Sequence, residues 1–337
     1  MAETMPLAKG IETWTQPPVT SIVCRRVSQP RYINTIPNTL LSAFYCHYED
    51  PIVFLRPGRA ENCRLRFSVQ EIRDASWGYH YLTEGELGPS RWWEADERCN
   101  GHFQSPINLL AAEAKSQCLG EIELDGFGDE PPEGATMTLT NTGHYVKIKL
   151  TGNYLVTGGG LGSVYKSDQF HFHWGMKDSR GSEHYLEGSP YPAEMHIVTY
   201  DTARFSSEAE AVGKDRGLAV LGFFVELVDE DNPAFEPLLT PFENIELEGD
   251  AVQLDEPFSI ESVLPEDRSK FFRYMGSLTT PPCAEGVVWT NFKNTVKMSA
   301  SQLQRFRDLK DELDLNMQDN FRPIQRLNNR KLFDNTC

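Results

Sequence analysis

The chain has no apolar run approaching the ~20 residues that a membrane-spanning helix needs, and it has no internal repeat. Basic residues are also few: 32 Lys and Arg stand against 49 Asp and Glu, which gives a formal net charge of −17 at pH 7. These features argue against a transmembrane segment and against a nucleic-acid partner. Helical periodicity is scarce as well. The best case is residues 299–313, with Ser299 and Ser301 as candidate caps.

Strand periodicity, in contrast, is plentiful. Residues 136–140 and 144–150 alternate polar and apolar side chains on either side of a turn signal at residues 141–143. Residues 218–225 form a near-continuous apolar run, which is typical of a strand buried on both faces. The chain is therefore predicted to be mainly β with short helices.

Three histidines lie in two of the predicted strands. In residues 169–175 (QFHFHWG), the period of two sends the aromatic side chains to one face and His171 and His173 to the other. His196 has the same parity in residues 193–198 (AEMHIV), where Met195 and Ile197 face the core. Three imidazoles on one face leave a fourth tetrahedral position open, a pattern typical of a catalytic zinc site.

Each histidine alone has a simpler interpretation, because a single histidine in an apolar strand is more often a hydrogen-bonded core residue than a ligand. Gln169 and Glu194 make packing a poor explanation for all three. They flank the histidines on the same face, where a metal-binding imidazole needs an acceptor for its other ring N–H. A buried Glu194 also requires a partner of its own. We therefore interpret the histidines as metal ligands.

The motifs along the chain resemble those of the alpha-class carbonic anhydrases, from about residue 76 to residue 330. In chain order they are SWGY (76–79), QSPIN (104–108), NTGH (141–144), QFHFHWG (169–175), GSEH (181–184), AEMHIV (193–198), GLAVLG (217–222), SLTTPP (277–282), NFRP (320–323) and LNNR (327–330).

The resemblance implies a single domain, residues 76–333, around a central, twisted, largely antiparallel sheet of about ten strands. It implies one Zn²⁺ per chain, held by His171, His173 and His196. The implied activity is reversible hydration of carbon dioxide to bicarbonate and a proton, by attack of zinc-bound hydroxide. Residues 1–75 are predicted to be an extension of unknown role with little order, and residues 334–337 a short tail.

The same resemblance assigns roles around the metal. Thr279 would accept the proton of the hydroxide and pass its own hydroxyl proton to Glu183, which orients the attacking lone pair. Asn320 lies where the family has the backbone acceptor for His173, and Gln169 and Glu194 would serve the other two ligands. The substrate pocket would be formed by Val198, Val220, Leu278, Thr280, Val287 and Trp289.

Proton transfer to solvent is implied to use His144 as the shuttle, with Tyr79 ordering the water chain. Two departures affect this assignment. Tyr145 stands where efficient family members have a small residue, and its ring is expected to restrict the imidazole or displace water. Lys147 on the polar wall is expected to depress the pKa of the shuttle. In isolation, a surface turn histidine would be the better interpretation of His144.

The seven cysteines cannot all pair with one another. Cys99 and Cys283 occupy positions that form a disulfide in the secreted and cell-surface members of the family; the alternative is two buried free thiols. The pair favours a secreted protein or a secretory-pathway lumen. The first residues, however, lack the basic start and apolar core of a signal peptide. Cys118 and Cys337 have no predicted partner, nor have Cys24, Cys46 and Cys63.

Two other functions fit the sequence less well. One is a carbonic-anhydrase-like binding or matrix protein with weak or no catalysis, which would typically lack one or more of the three histidines. The other is a different zinc hydrolase, for example one acting on esters, but no specificity groove is readable. The expected partner is therefore a small-molecule substrate, and the oligomeric state is left open.

Overall fold

A computed structural model describes residues 23–26, 44–47, 76–80 and 86–337. These residues fall into two compact units divided between residues 66 and 67. In the first unit, strands β1 (Val23–Arg26) and β2 (Phe44–His47) pair antiparallel. The predicted extension of residues 1–75 otherwise lies outside the described residues.

The second unit is built mainly from strands. They are β3 (Ser76–Trp77), β4 (Glu86–Leu87), β5 (Asn108–Leu109), β6 (Lys115–Gln117), β7 (Ile122–Asp125), β8 (Thr136–Asn141), β9 (Val146–Thr151), β10 (Leu155–Gly158), β11 (Tyr165–Trp174), β12 (Tyr185–Leu186), β13 (Ala193–Asp201), β14 (Leu218–Val228), β15 (Ala251–Gln253), β16 (Phe271–Ser277), β17 (Glu285–Ser299) and β18 (Phe333–Asn335).

The helices of this unit are short. The α-helices are α1 (Trp92–Ala95), α2 (Glu208–Ala211), α3 (Glu236–Leu239) and α4 (Ala300–Arg307). Single 3₁₀ turns lie at Pro89–Arg91, Glu97–Asn100, Pro233–Phe235, Thr240–Asn244 and Glu261–Val263. Among the described residues, no helix is long and apolar enough to span a bilayer.

One sheet of twelve strands organises the unit. Its path runs β15-β8-β9-β11-β13-β14-β17-β16-β18-β6, and β10 joins β11 to β7 beside that path. Within this sheet, the described pairs β14–β17 and β18–β6 are parallel and the others are antiparallel. The predicted mainly β fold is confirmed, with more strands than the ten expected. The additional edge strands are three or four residues long and partly exposed, so apolar and polar residues do not alternate strongly along them.

Strands β11, β13 and β14 lie at the centre of the sheet, and their period of two separates two apolar clusters. Phe170, Phe172 and Trp174 of β11 pack into the larger cluster, where α4 covers them through Phe306. Val198 of β13 belongs to a smaller cluster on the opposite face. The large cluster fixes the orientation of the strands, and the histidines consequently project toward the smaller one.

Two predicted boundaries differ from the structure. Helix α4 begins as expected: Ser299 caps it and forms a reciprocal capping box with Gln302. It ends at Arg307 rather than at residue 313, because the chain then turns back so that Met317 N–H donates to the Leu309 carbonyl. At the other boundary, β18 pairs with β16 and β6, so Asp334 and Asn335 belong to the sheet rather than to a free tail.

Two disulfides connect distant parts of the unit. Cys99 and Cys283 are bonded (S–S 2.05 Å) next to the loop that carries Thr279, and Cys283 N–H donates to the Thr280 carbonyl at 2.7 Å. A second disulfide, which the sequence did not reveal, joins Cys118 to Cys337. The parallel pairing of β18 with β6 brings these two cysteines together.

Replacing both Cys99 and Cys283 by serine should lower the free energy of unfolding by about 2–5 kcal/mol, because the bridge closes a loop of 184 positions in the unfolded chain. Urea unfolding of the oxidised wild type and of the double variant measures this difference. Equal unfolding free energies would contradict a stabilising role for this bridge.

Candidate metal centre

Three buried imidazoles converge at the centre of the sheet. His171 and His173 lie in β11, and His196 lies directly opposite His171 in the neighbouring strand β13. The centroids of the three rings are 4.8–5.2 Å apart, and the Nε2 atoms of His171 and His173 are separated by 3.1 Å. Ring nitrogens from two strands therefore point at one common position.

A separate acceptor holds the outward nitrogen of each imidazole. His171 Nδ1 lies 2.8 Å from Gln169 Oε1, and His173 Nδ1 lies 2.8 Å from the Asn320 carbonyl oxygen. The third contact joins His196 Nε2 to Glu194 Oε1 at 2.8 Å. These contacts leave Nε2 of His171, Nε2 of His173 and Nδ1 of His196 facing inward.

The arrangement fits a zinc ion. Two nitrogens bound tetrahedrally at about 2.0–2.1 Å from one metal would lie about 3.3 Å apart, close to the 3.1 Å found between His171 and His173. Burial lowers the pKa of His171 well below its usual value and also lowers that of His173, so both are neutral, the form that binds metal.

A buried carboxylate adds to this fit. Oε2 of Glu183 lies 3.4 Å from His173 Nε2 and 3.9 Å from His196 Nδ1, and it has no hydrogen-bond partner in the described part of the chain. An uncompensated negative charge in the interior is costly. A cation at the point where the imidazoles meet would compensate it.

Glu194 connects the third ligand to a chain of hydrogen bonds across the sheet. Its Oε1 also lies 2.7 Å from Nδ1 of His184. The other ring nitrogen of His184, Nε2, lies 2.6 Å from the Tyr274 hydroxyl, which in turn lies 2.7 Å from Ser105 Oγ. Although burial would raise the pKa of Glu194, the two imidazoles hold it well below the usual range. Sequence reasoning missed His184, although it follows Glu183 in the GSEH motif.

Gly222 of β14 makes room for this carboxylate. It pairs with His196, and a Cβ at this position would lie 3.2 Å from Glu194 Oε1 and 2.5 Å from Asn291 Nδ2. A side chain here would displace both groups, so only glycine fits the close approach.

The predicted hydrogen bond between Thr279 and Glu183 is absent from the described structure. Glu183 Oε1 instead accepts the backbone N–H of Arg322 at 2.8 Å, and Oε2 faces the imidazoles. The Arg322 guanidinium is anchored by Gln104 Oε1 (2.8 Å) and the Cys99 carbonyl (3.0 Å). The motifs that contain Gln104 and Arg322 therefore fix the position of Glu183.

A cavity of about 550 Å³ opens onto the metal centre. The predicted pocket residues that line it are Val198, Val220, Leu278, Thr280 and Trp289. Thr279, Gln169, His171 and His196 line it as well. Val287 was also predicted to line the pocket, but it is not among the lining residues. It is buried in the apolar cluster that also contains Val198, Val220 and Trp289.

The geometry does not favour the predicted shuttle. His144 is not part of the cavity lining; its ring stacks on Trp77 at 4.0 Å, and its Nδ1 lies 3.3 Å from Glu312 Oε2. The neighbouring Tyr145 lines the cavity, with its ring centroid 4.8 Å from that of His171. Burial raises the pKa of Tyr145 to about 12, so this ring stays neutral.

Tyr79, predicted to order water, is buried beside this arrangement. Its ring centroid lies 6.4 Å from that of His144, and its hydroxyl has no hydrogen-bond partner among the described residues. Burial raises the pKa of Tyr79 well above its usual value. The hydroxyl is therefore protonated.

A charged group on the cavity wall was not predicted. Glu208, in the first turn of α2, lines the cavity, and its carboxyl group lies next to that of Asp168 and near Lys149 and Lys147. Burial, and then the neighbouring Asp168, raises the pKa of Glu208 to about 8. No sequence motif marks Glu208, because strand β11 and helix α2 meet only in the fold.

The fold and the site together define a class: a β-sheet protein in which three buried imidazoles that could hold a metal ion converge beside a cavity. Residues 87–336 match the family described as eukaryotic-type carbonic anhydrase. Carbonic anhydrase 4 of Oryctolagus cuniculus is 37% identical over 253 residues, which cover 73% of this chain and 79% of that protein. Carbonic anhydrase 7 of Homo sapiens is 35% identical over 262 residues, which cover 75% of this chain and 95% of that protein.

The chain therefore belongs to the alpha-class carbonic anhydrases. It is also similar to a larger protein, the receptor-type tyrosine-protein phosphatase zeta of Rattus norvegicus. That match is 36% identical over 239 residues, which cover 70% of this chain but only 10% of the phosphatase.

Replacing Glu194 by Gln should weaken zinc binding by about 10- to 100-fold, because the amide removes the negative charge that holds His196. Competition with a chromophoric chelator measures the affinity. The exposed Glu226 of the neighbouring strand provides a control, since Glu226→Gln should bind zinc as the wild type does. Equal affinities for Glu194→Gln and wild type would contradict this role.

The raised pKa of Glu208 predicts a pH-dependent stability. Folding favours its neutral form, so its contribution to stability is complete below the usual carboxyl pKa of 4.5 and is lost as the pH rises through about 8. Glu208→Gln cannot ionise, so it should gain stability relative to wild type between pH 5 and pH 9. Urea unfolding at both values tests this, with the exposed Glu230→Gln as control. A stability difference that does not change with pH would contradict it.

Proposed function

We propose that this protein is a zinc-dependent carbonic anhydrase that hydrates carbon dioxide reversibly to bicarbonate and a proton. The observation that carries the proposal is the convergence of His171, His173 and His196 at the base of an apolar-walled cavity. Zinc held by three neutral imidazoles lowers the pKa of its bound water to about 7, a value established for carbonic anhydrases as a class, and so supplies a nucleophile at neutral pH.

The cavity wall suits carbon dioxide. Val198, Val220, Leu278 and Trp289 present apolar surface beside the imidazoles, and carbon dioxide has no net dipole to pair with polar groups. Valine at positions 198 and 220 leaves room that a larger side chain would fill. These residues would exclude excess water and hold the substrate carbon near the nucleophile.

Thr279 and Glu183 would orient the reacting groups. Thr279 lines the cavity, and the partnerless Oε2 of Glu183 is a ready acceptor for its hydroxyl proton. The Arg322 N–H donates to the other oxygen, Oε1, and so leaves Oε2 free to accept. We propose that the Thr279 hydroxyl approaches Oε2 when the site is loaded, and that the Thr279 backbone N–H then binds a substrate oxygen.

Release of the proton would be the slow step. His144 is engaged with Trp77 and Glu312, and Tyr145 lines the cavity beside His171. Apart from His171 and His196 themselves, the described cavity lining contains no imidazole to receive a proton that leaves the metal centre. An external buffer molecule would take that role.

The two disulfides support a location in an oxidising compartment, either secreted or within the secretory pathway. The alternative function is a carbonic-anhydrase-like binding or matrix protein with weak or no catalysis. The retention of all three histidines with their acceptors argues against it, because a binding module has no need for a preorganised metal site.

Stopped-flow hydration of carbon dioxide by zinc-loaded protein, repeated across buffer concentrations, tests the proposal. We expect a hydration rate that rises with buffer concentration. Tyr145→Ala should reduce this dependence by freeing His144 to reach the cavity, and His144→Ala in that background should restore it. Tyr145→Phe keeps the ring and serves as the control that behaves as wild type.

Absence of hydration by protein that carries zinc in the His171, His173 and His196 site would reject the enzyme and leave a binding module. Fast hydration by the wild type at a rate independent of buffer concentration would support the enzymatic function. It would contradict the proposal that Tyr145 prevents His144 from acting as the proton shuttle.

A further inference from the structure

A second group of potential metal ligands lies apart from the three histidines. One ligand atom from each of His80, Glu86 and Glu312 falls within 4.8 Å of the others. The residues come from three separate segments: the end of the β3 region, strand β4 and the loop after α4. Glu86 is only 7% exposed, which is unusual for a carboxylate without a counter-ion.

Each of the three side chains uses one atom elsewhere and leaves one free. Glu86 Oε1 accepts the His80 backbone N–H at 3.3 Å, and Glu312 Oε2 lies 3.3 Å from His144 Nδ1. The remaining oxygens, Glu86 Oε2 and Glu312 Oε1, are buried and have no hydrogen-bond partner within the described ranges. His80 Nε2 is bound to Asp311 Oδ2 at 2.8 Å, which leaves its Nδ1 available.

The charge in this group is unbalanced. Two carboxylates face each other in a largely buried place, and burial, followed by the proximity of Glu312, raises the pKa of Glu86. Either a shared proton or a bound cation would relieve this repulsion. A proton shared between Glu86 and Glu312 would give no role to His80 or to its contact with Asp311.

We propose that His80, Glu86 and Glu312 form a second metal site, for a divalent transition-metal ion whose remaining positions are filled by water. The imidazole favours zinc over calcium, magnesium and manganese, which prefer oxygen ligands alone. Asp311 would hold the ligating imidazole in one tautomer and orientation, the role that a carboxylate behind a metal-bound histidine commonly has.

The backbone around the site is shaped for Glu86. A Cβ at Gly78 would lie 1.4 Å from Glu86 Oε1 and 2.7 Å from Glu312 Oε1, so any side chain at this position would occupy the space of both carboxylates. Glycine at position 78 is thus required for the two acidic groups to approach one another.

Metal stoichiometry of the full chain tests this inference. Protein dialysed at pH 7.5 against a small excess of free Zn²⁺ should retain a second equivalent, measured by plasma mass spectrometry. Glu86→Gln and Glu312→Gln should each lose one equivalent and keep the zinc of the histidine site. The exposed Glu97→Gln is the matched control and should retain two.

The two metal sites are distinguished by a variant of the first. His173→Ala should lose one equivalent while the ion at Glu86 and Glu312 remains, so failure of the proposed enzyme would not affect this result. If Glu86→Gln does not fold, His80→Ala at the more exposed ligand provides the same test. A wild type that retains one equivalent, or glutamine variants that retain two, would overturn the second site and leave a shared proton as the explanation.

Discussion

The pairing of β11 with β13 is the constraint on which the rest of the structure depends. Its antiparallel register places His171 opposite His196, and the period of two buries Phe170, Phe172 and Trp174 on the other face. A slip of one residue would send the histidines into the apolar cluster and the aromatic rings into the cavity. The free energy that folds the sheet is thus also what preorganises the three metal ligands.

Local pattern was sufficient to predict the centre of the fold and of the site. The alternation in β11 and β13 placed the histidines on one face, and the flanking polar residues identified Gln169 and Glu194 as their acceptors, as the contacts now show. Long-range contacts were harder to foresee. The pairing of Cys118 with Cys337 depends on the register of β18 against β6, and the carboxyl pair of Glu208 and Asp168 joins a helix to a strand bulge.

The residues around the cavity show where family resemblance reaches its limit. The three histidines converge as the resemblance implied, and five of the six predicted pocket residues line the cavity. Glu183, however, accepts the Arg322 N–H rather than the Thr279 hydroxyl, and Tyr145 rather than His144 lines the cavity. Tyr145 is one residue from the position that matches the family's shuttle, and its ring changes which side chain lines the cavity. Such effects depend on ring size and packing, which a sequence motif does not predict.

The central claim is that three imidazoles of this chain hold one zinc ion with an open fourth position. Zinc-edge X-ray absorption on protein loaded with one equivalent tests it most directly. The account predicts three nitrogen scatterers and one oxygen, at about 2.0–2.1 Å from zinc and without sulfur. Coordination by sulfur, or by fewer than three nitrogens, would contradict it.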